Sequence, residues 1–447
     1  MARLFGTDGV RGIANKELTC ETAFKLGQAA VAFLGRNIVI GKDTRQSGDM
    51  LESCVMAGIM SMGGTAFCAG IVPTPGVALL VRELYCDGGI VISASHNPPE
   101  YNGIKFFDAQ GYKLPCDLED EIEAFVVEGK ADRMELPTGG AVGVSIPVEN
   151  AAELYIEHAV ESVAEQGIRF DGLKVALDVG HGASAVSSAE ALIRLGADVR
   201  VINDEFDGTD INVSCGSTHL EPLRELVAEM GADVGIAHDG DADRVMFVDA
   251  DGTEIDGDVV EAVCAIDLAN RGLLPGNAVV STVMCNLGFT HAMRGAGIEV
   301  IQTQVGDRFV LEAMRERGLA LGGEQSGHMI FLEHNSTGDG LVTALQFLAA
   351  CQRSGGTVAQ AAAVMQRYPQ VLLNVQVADK HALDGNEAIA RAVADASAEL
   401  GDDGRILVRP SGTEPVVRVM VEASDHETAQ RYADAVAEVV AAEIDQH

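Results

Sequence analysis

Long apolar runs are absent from this sequence, and that absence excludes one class of protein. No stretch approaches the roughly 20 consecutive apolar residues that a membrane-spanning helix needs. The first residues, MARLFGTDGV, lack the apolar segment of a secretory signal. We therefore expect a cytoplasmic protein that does not enter a membrane.

Paired cysteines and basic residues are also scarce. The nine cysteines stand singly, without a C-x-x-C pair, and their number is odd. This pattern is typical of reduced thiols in a cytoplasm and argues against disulfides or a zinc site. Lys and Arg number 31 against 67 Asp and Glu, a formal net charge of -36, which argues against nucleic-acid binding. An anionic substrate would therefore need local arginines to hold it.

What the chain does contain is a repeated alternation of short apolar runs with helical patterns. Seven runs are typical of buried strands: 37–40, 90–92, 175–177, 199–202, 234–237, 279–281 and 300–302. This alternation predicts βα units with helices on both faces of a sheet. At roughly 150 residues per domain, a chain of 447 residues predicts three or four domains.

Two Pro/Gly-containing segments, 136–143 and 367–370, suggest domain boundaries. Beyond the second, predicted strands at 371–377 and 416–421 and a final helix with a capping box of Ser424 and Glu427 indicate a small α+β domain.

A triplet of carboxylates, Asp239, Asp241 and Asp243, follows one predicted strand in the string DGDADR. Alternation along an extended segment would place them on one side, and three hard oxygen ligands suit Mg²⁺. An EF-hand is disfavoured because its sixth position is Arg244 instead of Gly. A solvated acidic turn is the alternative. Arg244, which could hold a phosphate oxygen, favours a functional site.

Ser95 follows the predicted strand that ends at Ile92, in the string SASHNPP. Its hydroxyl could project from a turn into a cleft. The string lacks the G-x-S-x-G pattern of a hydrolase, and His96 is poorly placed as a base for its own neighbour. A helix N-cap is the simpler interpretation, and it is compatible with anion binding because anions favour helix N-termini.

A turn between two predicted strands near the C-terminus carries hydroxyls, a glycine and two guanidinium groups: Arg409, Ser411, Gly412, Thr413 and Arg418. Freed backbone N–H groups beside guanidinium groups favour a phosphate cradle over a plain hairpin turn. The string GGEQSGH offers another set, in which Glu324, Ser326 and His328 could bind sugar hydroxyls and shuttle a proton. Taken alone, His328 would be an ordinary loop histidine.

Taken together, the chain resembles the α-D-phosphohexomutase family over essentially its whole length. The strings LFGTDGVRG, GKDTR, SASHNPPEYNGIKFF, DGDADR, VGDR, GGEQSGH and RPSGTEP match that family's motif order. The resemblance implies an α/β fold, with three similar α/β domains with mixed sheets plus a small α+β C-terminal domain around a central cleft. The implied domains carry, in order, a phosphoserine loop, a metal-binding loop, a sugar-recognition loop and a phosphate-binding loop, and we expect them at residues 1–145, 146–252, 253–368 and 369–447. GTDGVRG, CGSTH and GEQSGH are similar to the aminosugar branch of the family.

The activity implied by that branch is an isomerisation between glucosamine 6-phosphate and glucosamine 1-phosphate. It proceeds through a phosphoserine enzyme and a 1,6-bisphosphate, and it feeds UDP-N-acetylglucosamine and cell-wall precursor synthesis. Glucosamine 1,6-bisphosphate would serve as intermediate and primer. The partner is a small-molecule phosphosugar, with no nucleic acid and no membrane. The sequence leaves the oligomeric state open, with a homodimer as one option.

The resemblance also implies roles for individual residues. One Mg²⁺ per active site would be held by four oxygen ligands, from Ser95, Asp239, Asp241 and Asp243. The implied catalytic residues are Ser95, Arg11, Lys105 and His328. The implied substrate-binding residues are Arg244, Gly306, Asp307, Glu324, Ser326, Arg409, Ser411, Gly412, Thr413 and Arg418. The alternatives are a phosphomannomutase/phosphoglucomutase, a non-catalytic phosphosugar-binding protein and a metal-dependent phosphatase.

Overall fold

The structure, a computed structural model, describes residues 3–6, 8–205, 207–411 and 416–444, without the side chain of His381. The strands are β1 (Phe5–Gly6), β2 (Gly9–Ile13), β3 (Asn37–Lys42), β4 (Thr65–Ile71), β5 (Gly88–Ile92), β6 (Tyr101–Phe107), β7 (Val144–Pro147), β8 (Lys174–Asp178), β9 (Asp198–Ile202), β10 (Val234–His238), β11 (Val245–Asp249), β12 (Glu254–Ile255), β13 (Ala278–Thr282), β14 (Glu299–Thr303), β15 (Leu321–Gly323), β16 (Met329–Phe331), β17 (Gln370–Gln376), β18 (Gly404–Pro410) and β19 (Val416–Ala423).

The helices are α1 (Cys20–Phe33), α2 (Ser47–Ser61), α3 (Thr74–Glu83), α4 (Cys116–Val127), α5 (Ala151–Ala164), α6 (Ser188–Arg194), α7 (Glu221–Met230), α8 (Gly257–Asn270), α9 (Leu287–Gly295), α10 (Asp307–Arg317), α11 (Gly340–Ser354), α12 (Val358–Ala362), α13 (Glu387–Leu400) and α14 (His426–Ile444). Within the described ranges, none of them has both the length and the apolar character needed to cross a bilayer.

The chain divides into two compact units. The N-terminal unit comprises Met1–Met284 and Gly297–Val364, and the C-terminal unit comprises Cys285–Ala296 and Met365–His447. Three sheets lie in the N-terminal unit, with the strand orders β1-β2-β6-β5-β3-β4-β7, β12-β11-β10-β8-β9 and β14-β13-β15-β16. The seven strands predicted in this region are confirmed as β3, β5, β8, β9, β10, β13 and β14.

One topological step recurs in all three sheets of the N-terminal unit. A strand with a parallel neighbour turns back through a short loop into an antiparallel neighbour, from β5 to β6, from β10 to β11 and from β15 to β16. We call the connections hairpin loop 1 (residues 93–100), hairpin loop 2 (239–244) and hairpin loop 3 (324–328). The predicted mixed sheets are confirmed, and each loop contains residues that the sequence marks as functional.

The first sheet is covered on both faces, as the continuous apolar pattern of its strands predicts. Ile38 and Ile40 on β3 belong to a core cluster that includes residues of α1, α2 and α4. Val39, between them, belongs to a second cluster with residues of α3. Alternate residues of a strand point to opposite faces, so a strand buried on both sides needs apolar residues at every position.

The first predicted domain boundary, between residues 145 and 146, falls inside β7. This strand pairs in parallel with β4 at the edge of the first sheet, so Val144–Pro147 belongs to that sheet. The four-domain division otherwise remains a proposal, to be tested by expressing the segments separately.

The C-terminal unit contains an antiparallel sheet in the order β17-β19-β18, with α13 and α14 contributing to its core. Its strands at 371–377 and 416–421 were predicted and are confirmed as β17 and β19. The unit also includes α9, because Glu422 on β19 accepts hydrogen bonds from Leu287 N and Asn286 Nδ2 at 3.0 and 3.1 Å.

The predicted capping box of α14 is wrong. The helix begins at His426, and Asp425 supplies the cap by accepting a 2.8 Å hydrogen bond from Thr428 N. The Ser424 hydroxyl lies against the Asp425 carboxylate instead. A carboxylate next to the first turn is an equally good cap, so local sequence did not distinguish the two.

Candidate active site

Ser95 lies in hairpin loop 1, where its backbone has a φ of 50°. This is the left-handed region, which residues other than glycine rarely adopt. The loop leads into strand β6, so the interpretation of Ser95 as a helix N-cap is wrong. The tight turn places the Ser95 side chain against hairpin loop 2.

The Ser95 hydroxyl donates a 2.6 Å hydrogen bond to Asp239 Oδ2, and the residue is only 1% exposed. His96 Nδ1 lies 3.3 Å from the same hydroxyl. Burial lowers the pKa of His96 to about 4, and the charges of Arg244 and Arg11 act in the same direction. His96 is therefore within reach of the hydroxyl, contrary to its expected poor placement, but so low a pKa makes it a weak base.

The three carboxylates of hairpin loop 2 converge although their segment is not extended. Residues 240–243 form a turn in which Ala242 has a φ of 54°. One oxygen of each of Asp239, Asp241 and Asp243 lies within 4.8 Å of the others, and the three residues are buried. The predicted convergence is confirmed, but its predicted reason, alternation along a strand, is wrong. Burial also excludes the solvated acidic turn.

The triplet can hold a metal ion. Asp241 Oδ1 and Asp243 Oδ1 are buried without a hydrogen-bond partner among the described residues. Burial raises the pKa of Asp239 well above its usual value, and repulsion from the Asp243 and Asp241 carboxylates adds to the effect. Buried carboxylate oxygens without a hydrogen-bond partner are costly, and a divalent cation with a preference for oxygen ligands would relieve that cost.

Asp241 also contacts a cation of the protein itself. Lys105 Nζ, on β6, lies 2.9 Å from Asp241 Oδ2, and the Thr74 hydroxyl at the start of α3 donates a 2.6 Å hydrogen bond to the same oxygen. Burial acts to raise the pKa of Asp241, but Lys105 and Thr74 outweigh it and hold the pKa below its usual value. Asp241 is therefore ionised at neutral pH.

Two predicted arginines join this group. Arg11, on β2, pairs with Asp8, whose Oδ2 also lies 2.9 Å from Lys105 Nζ. Arg244 Nε is 3.8 Å from Asp243 Oδ1, and the Arg244 N–H donates to Asp239 Oδ1 at 3.2 Å. The structure thus gathers the predicted cations Arg11, Lys105 and Arg244 around the carboxylates.

Three residues of this site were not predicted from the sequence: Asp8, Thr74 and Lys113. Lys113 Nζ lies 2.5 Å from Asp8 Oδ1 and also pairs with Asp307. Asp8 stands inside the string GTDGVRG and could have been found there. Thr74 and Lys113 lie in segments without a motif, and only partners more than 100 positions away reveal them.

Hairpin loop 3 lies against hairpin loop 2, since His328 forms an isolated antiparallel bridge with Arg244. His328 is 2% exposed, and its Nε2 lies 3.6 Å from Asp307 Oδ2. The Gly306 N–H donates to Glu324 Oε1 at 3.2 Å, and Ser326 is exposed in the loop. The predicted sugar-recognition residues are therefore brought together in the N-terminal unit.

The predicted phosphate cradle is a feature of the C-terminal unit. Arg409 and Arg418 are register partners on β18 and β19, as predicted for a turn between two strands. Burial lowers the pKa of Arg409, and the neighbouring Arg418 charge lowers it further. Lys380 Nζ donates a 2.6 Å hydrogen bond to the Ser411 carbonyl, a contact that the sequence did not suggest. Gly412 and Thr413 lie outside the described residues.

Repeated mixed α/β sheets lie beside a buried serine hydroxyl, an aspartate triplet that could hold a metal ion, and neighbouring lysine and arginine side chains. This combination is typical of α/β enzymes that transfer phosphoryl groups. Four domain models of the phosphoglucomutase/phosphomannomutase family match the chain. They are alpha/beta/alpha domain I at residues 2–133, domain II at 153–252, domain III at 256–368 and the C-terminal domain at 372–439.

Relatives match the chain over nearly all of its length. A phosphoglucosamine mutase of Desulforamulus reducens is 50% identical over 98% of this chain and 99% of its own. One from Acetivibrio thermocellus is 48% identical over 97% of each chain. A solved phosphoglucomutase/phosphomannomutase family protein from Burkholderia thailandensis has a TM-score of 0.83 and 26% identity, covering 99% of this chain and 97% of its own.

The chain belongs to the phosphoglucomutase/phosphomannomutase family. It is an enzyme of the phosphohexomutase class, and such enzymes are isomerases. The predicted family and fold class are confirmed.

Proposed function

We propose that the protein interconverts glucosamine 6-phosphate and glucosamine 1-phosphate, with Ser95 as the carrier of the phosphoryl group. The observation that carries this proposal is the 2.6 Å contact of the Ser95 hydroxyl with Asp239, inside a buried triplet that can hold a metal ion. The aminosugar substrate is supported by full-length relatives near 50% identity that are named phosphoglucosamine mutase.

In the first half-reaction, the oxygen of a sugar hydroxyl bonds to the phosphorus on Ser95 as the bond from phosphorus to Ser95 Oγ breaks. The sugar hydroxyl loses a proton and Ser95 Oγ gains one, so the product is a 1,6-bisphosphate and a free serine. His328, with Nε2 3.6 Å from Asp307 Oδ2, is the proposed proton acceptor. Reorientation of the bisphosphate and the reverse transfer return the other monophosphate.

The proposed reaction concentrates negative charge in the site. A phosphoserine carries about minus two charges, and three aspartates raise the total to about minus five. At about 4 Å each like-charge pair costs roughly 1 kcal/mol in water and about 4 kcal/mol at an effective dielectric near 20. A Mg²⁺ held by Asp239, Asp241 and Asp243 with a Ser95 oxygen would neutralise part of that charge. The side chains of Arg11, Lys105 and Arg244 would supply further positive charge.

Binding of the sugar and of its second phosphate completes the proposal. Gly306, Asp307, Glu324 and Ser326 are the proposed contacts for the sugar hydroxyls. The non-reacting phosphate would be held by Arg409, Ser411, Gly412, Thr413 and Arg418. Glucosamine 1,6-bisphosphate would phosphorylate Ser95 before the first turnover. A cytoplasmic location and a homodimer are further proposals, the second of which light scattering on the purified protein tests directly.

The test combines intact mass with turnover. Purified protein exposed to glucosamine 1,6-bisphosphate should gain one phosphoryl group, and Ser95→Ala should lose both that group and the mutase activity. Full activity in Ser95→Ala would overturn the proposal. Release of inorganic phosphate without an isomer would indicate a phosphatase instead, and binding without turnover a sensor. Higher kcat/KM for glucose or mannose phosphates would favour a phosphomannomutase/phosphoglucomutase, the second candidate.

A further inference from the structure

Arg45, at the end of the string GKDTR, uses all five N–H groups of its guanidinium inside the protein. It is 2% exposed, and its Nε donates to Asp43 Oδ2 at 2.9 Å. The other four bonds go to backbone carbonyls of hairpin loop 1 and the first residue of β6, from Nη2 to Ser95 and Asn97 at 2.8 and 2.7 Å, and from Nη1 to Pro98 and Tyr101 at 2.5 and 3.0 Å. One side chain therefore defines the course of this loop.

The backbone N–H of Ser95 is also linked to the pair of Asp43 and Arg45. Ser95 N donates a 2.9 Å hydrogen bond to Ser93 Oγ, and the Ser93 hydroxyl donates a 2.6 Å bond to Asp43 Oδ2. That carboxylate oxygen is the one that Arg45 Nε contacts. The N–H and the C=O of Ser95 are thus both tied to the pair of Asp43 and Arg45, directly or through one hydroxyl.

A second clamp comes from the segment after β9. Asn212 Nδ2 donates to the Ser95 and Asn97 carbonyls at 2.8 and 3.2 Å, the same two carbonyls that Arg45 Nη2 contacts. Gly240 of hairpin loop 2 closes the third side, since a Cβ built there would lie 2.7 Å from the Ser95 carbonyl oxygen and 2.9 Å from Asn212 Nδ2. The Ser95 carbonyl therefore has two donors and no free space beside Gly240.

We infer that Arg45 and Asn212 are positioning residues that hold Ser95 in its left-handed conformation and so aim its hydroxyl at the aspartate triplet. The inference rests on the proposed function of Ser95. A left-handed backbone is unfavourable for serine because its Cβ crowds the following carbonyl oxygen, so the turn needs compensating bonds. Arg45 and Asn212 provide them through hydrogen bonds to the Ser95 and Asn97 carbonyls.

Arg45→Lys keeps the charge but cannot reproduce a planar fork of five donors. We expect kcat to fall about 100-fold, because misplacement of a reacting group by about 1 Å can cost that much in rate. KM for glucosamine 6-phosphate should change less than about threefold, because neither residue is among the proposed sugar or phosphate contacts. Asn212→Ala removes a neutral amide, so it tests the same positioning with little risk to folding, and we expect a decrease in kcat of about tenfold. In the double variant, kcat should fall by less than the product of the two single fold-changes, because both side chains donate to the same carbonyls.

The matched control is Arg353→Lys. Arg353 makes a two-bond ion pair with Asp267, at 2.8 and 2.7 Å, and it contacts none of the three hairpin loops in the described residues. The kcat of Arg353→Lys should stay within about twofold of the wild-type value when both are compared at the same folded fraction. The inference is overturned if Arg45→Lys and Asn212→Ala keep wild-type kcat, or if their kcat falls only as far as the folded fraction does.

Backbone amide exchange separates this inference from the proposed function. In Arg45→Lys and Asn212→Ala, exchange should become faster at the non-proline residues of 95–101 and stay unchanged on strand β13 (Ala278–Thr282), whatever reaction the enzyme catalyses. Unchanged exchange at 95–101 overturns the positioning role. If the wild-type enzyme never becomes phosphorylated on Ser95, the proposed function is overturned instead. The inference that the loop positions the hydroxyl for phosphoryl transfer would then fail as well.

Discussion

Lys113 forms an ion pair with Asp307, although 194 positions separate the two residues in the chain. The same ammonium lies 2.5 Å from Asp8 Oδ1, so it joins a residue of the first sheet's N-terminal segment to the start of α10. Burial acts to lower the pKa of Lys113, but Asp307 and Asp8 outweigh it and hold that pKa above its usual value. The pair keeps Asp307 beside His328.

We therefore predict that Lys113→Met destabilises the protein and slows the reaction. Removing one partner of a buried ion pair leaves unpaired carboxylates and typically costs about 3 to 5 kcal/mol. Chemical denaturation should show a loss of that order in the free energy of unfolding, and kcat should fall as Asp307 loses its fixed position. Lys25→Met, which breaks an exposed pair with Glu21, is the control and should change little. Equal effects of both variants would contradict the prediction.

Asp241→Asn should weaken metal binding at least about tenfold, because it removes a charged oxygen ligand from the triplet. Titration of the protein with Mg²⁺ or Mn²⁺, read out by calorimetry, measures the affinity. Asp249→Asn is the matched control, since Asp249 is a buried aspartate that accepts hydrogen bonds from Asp251 N and Thr253 N, outside the triplet. An Asp241→Asn variant with wild-type affinity and the same response to chelator would rule out the metal site.

Arg409→Met should lower kcat/KM for the phosphosugar by about 10- to 100-fold, the loss expected for one or two hydrogen bonds to a charged group. Thermal stability should hold or rise, because the variant removes the repulsion between Arg409 and Arg418 on neighbouring strands. Arg391→Met, an exposed arginine on α13 of the same unit, serves as control. Wild-type kcat/KM in Arg409→Met would show that the turn does not bind the second phosphate.

Stability should fall as pH rises, in part because of Glu261. Burial raises the pKa of this α8 side chain well above the ordinary value of 4.5, and the neighbouring Asp258 carboxylate adds to the effect. The native state binds the proton more tightly than the unfolded chain, so its contribution is complete below about pH 4.5 and is lost as pH rises towards the folded pKa. Glu261→Gln should therefore flatten the profile of melting temperature between pH 5 and 8 and raise it at pH 8. Glu312 is exposed, so Glu312→Gln should leave the profile of melting temperature against pH unchanged. A Glu261→Gln profile that runs parallel to that of the wild type would contradict the prediction.

Local sequence predicted the strands buried on both faces, because a run such as Ile38 to Ile40 is apolar at every position. It missed β6, whose residues Asn102 and Lys105 interrupt the apolar pattern, although both are buried. The polar atoms of those two side chains have partners elsewhere in the fold, Ser47 for Asn102 and Asp241 for Lys105. Pairing of this kind is a property of the tertiary structure and leaves no local periodicity.

The candidate site shows the same division. Strings such as DGDADR could be found because adjacent residues supply several ligands at once. Thr74 and Lys113 could not, because each contributes one polar atom to a partner far along the chain. The helix-cap interpretation of Ser95 failed for a different reason, since a turn into a strand and a turn into a helix can begin with the same residues.

The left-handed backbone of Ser95, with a φ of 50°, also limits which amino acids could replace it in the nucleophilic role proposed above. Threonine offers the same hydroxyl, but its branched Cβ is strongly disfavoured in that region. Serine and threonine are interchangeable at many exposed phosphorylation sites, where the chain is free to adjust. Here the turn disfavours that exchange, so a Ser95→Thr variant would keep a hydroxyl at this position only by straining or rebuilding the loop.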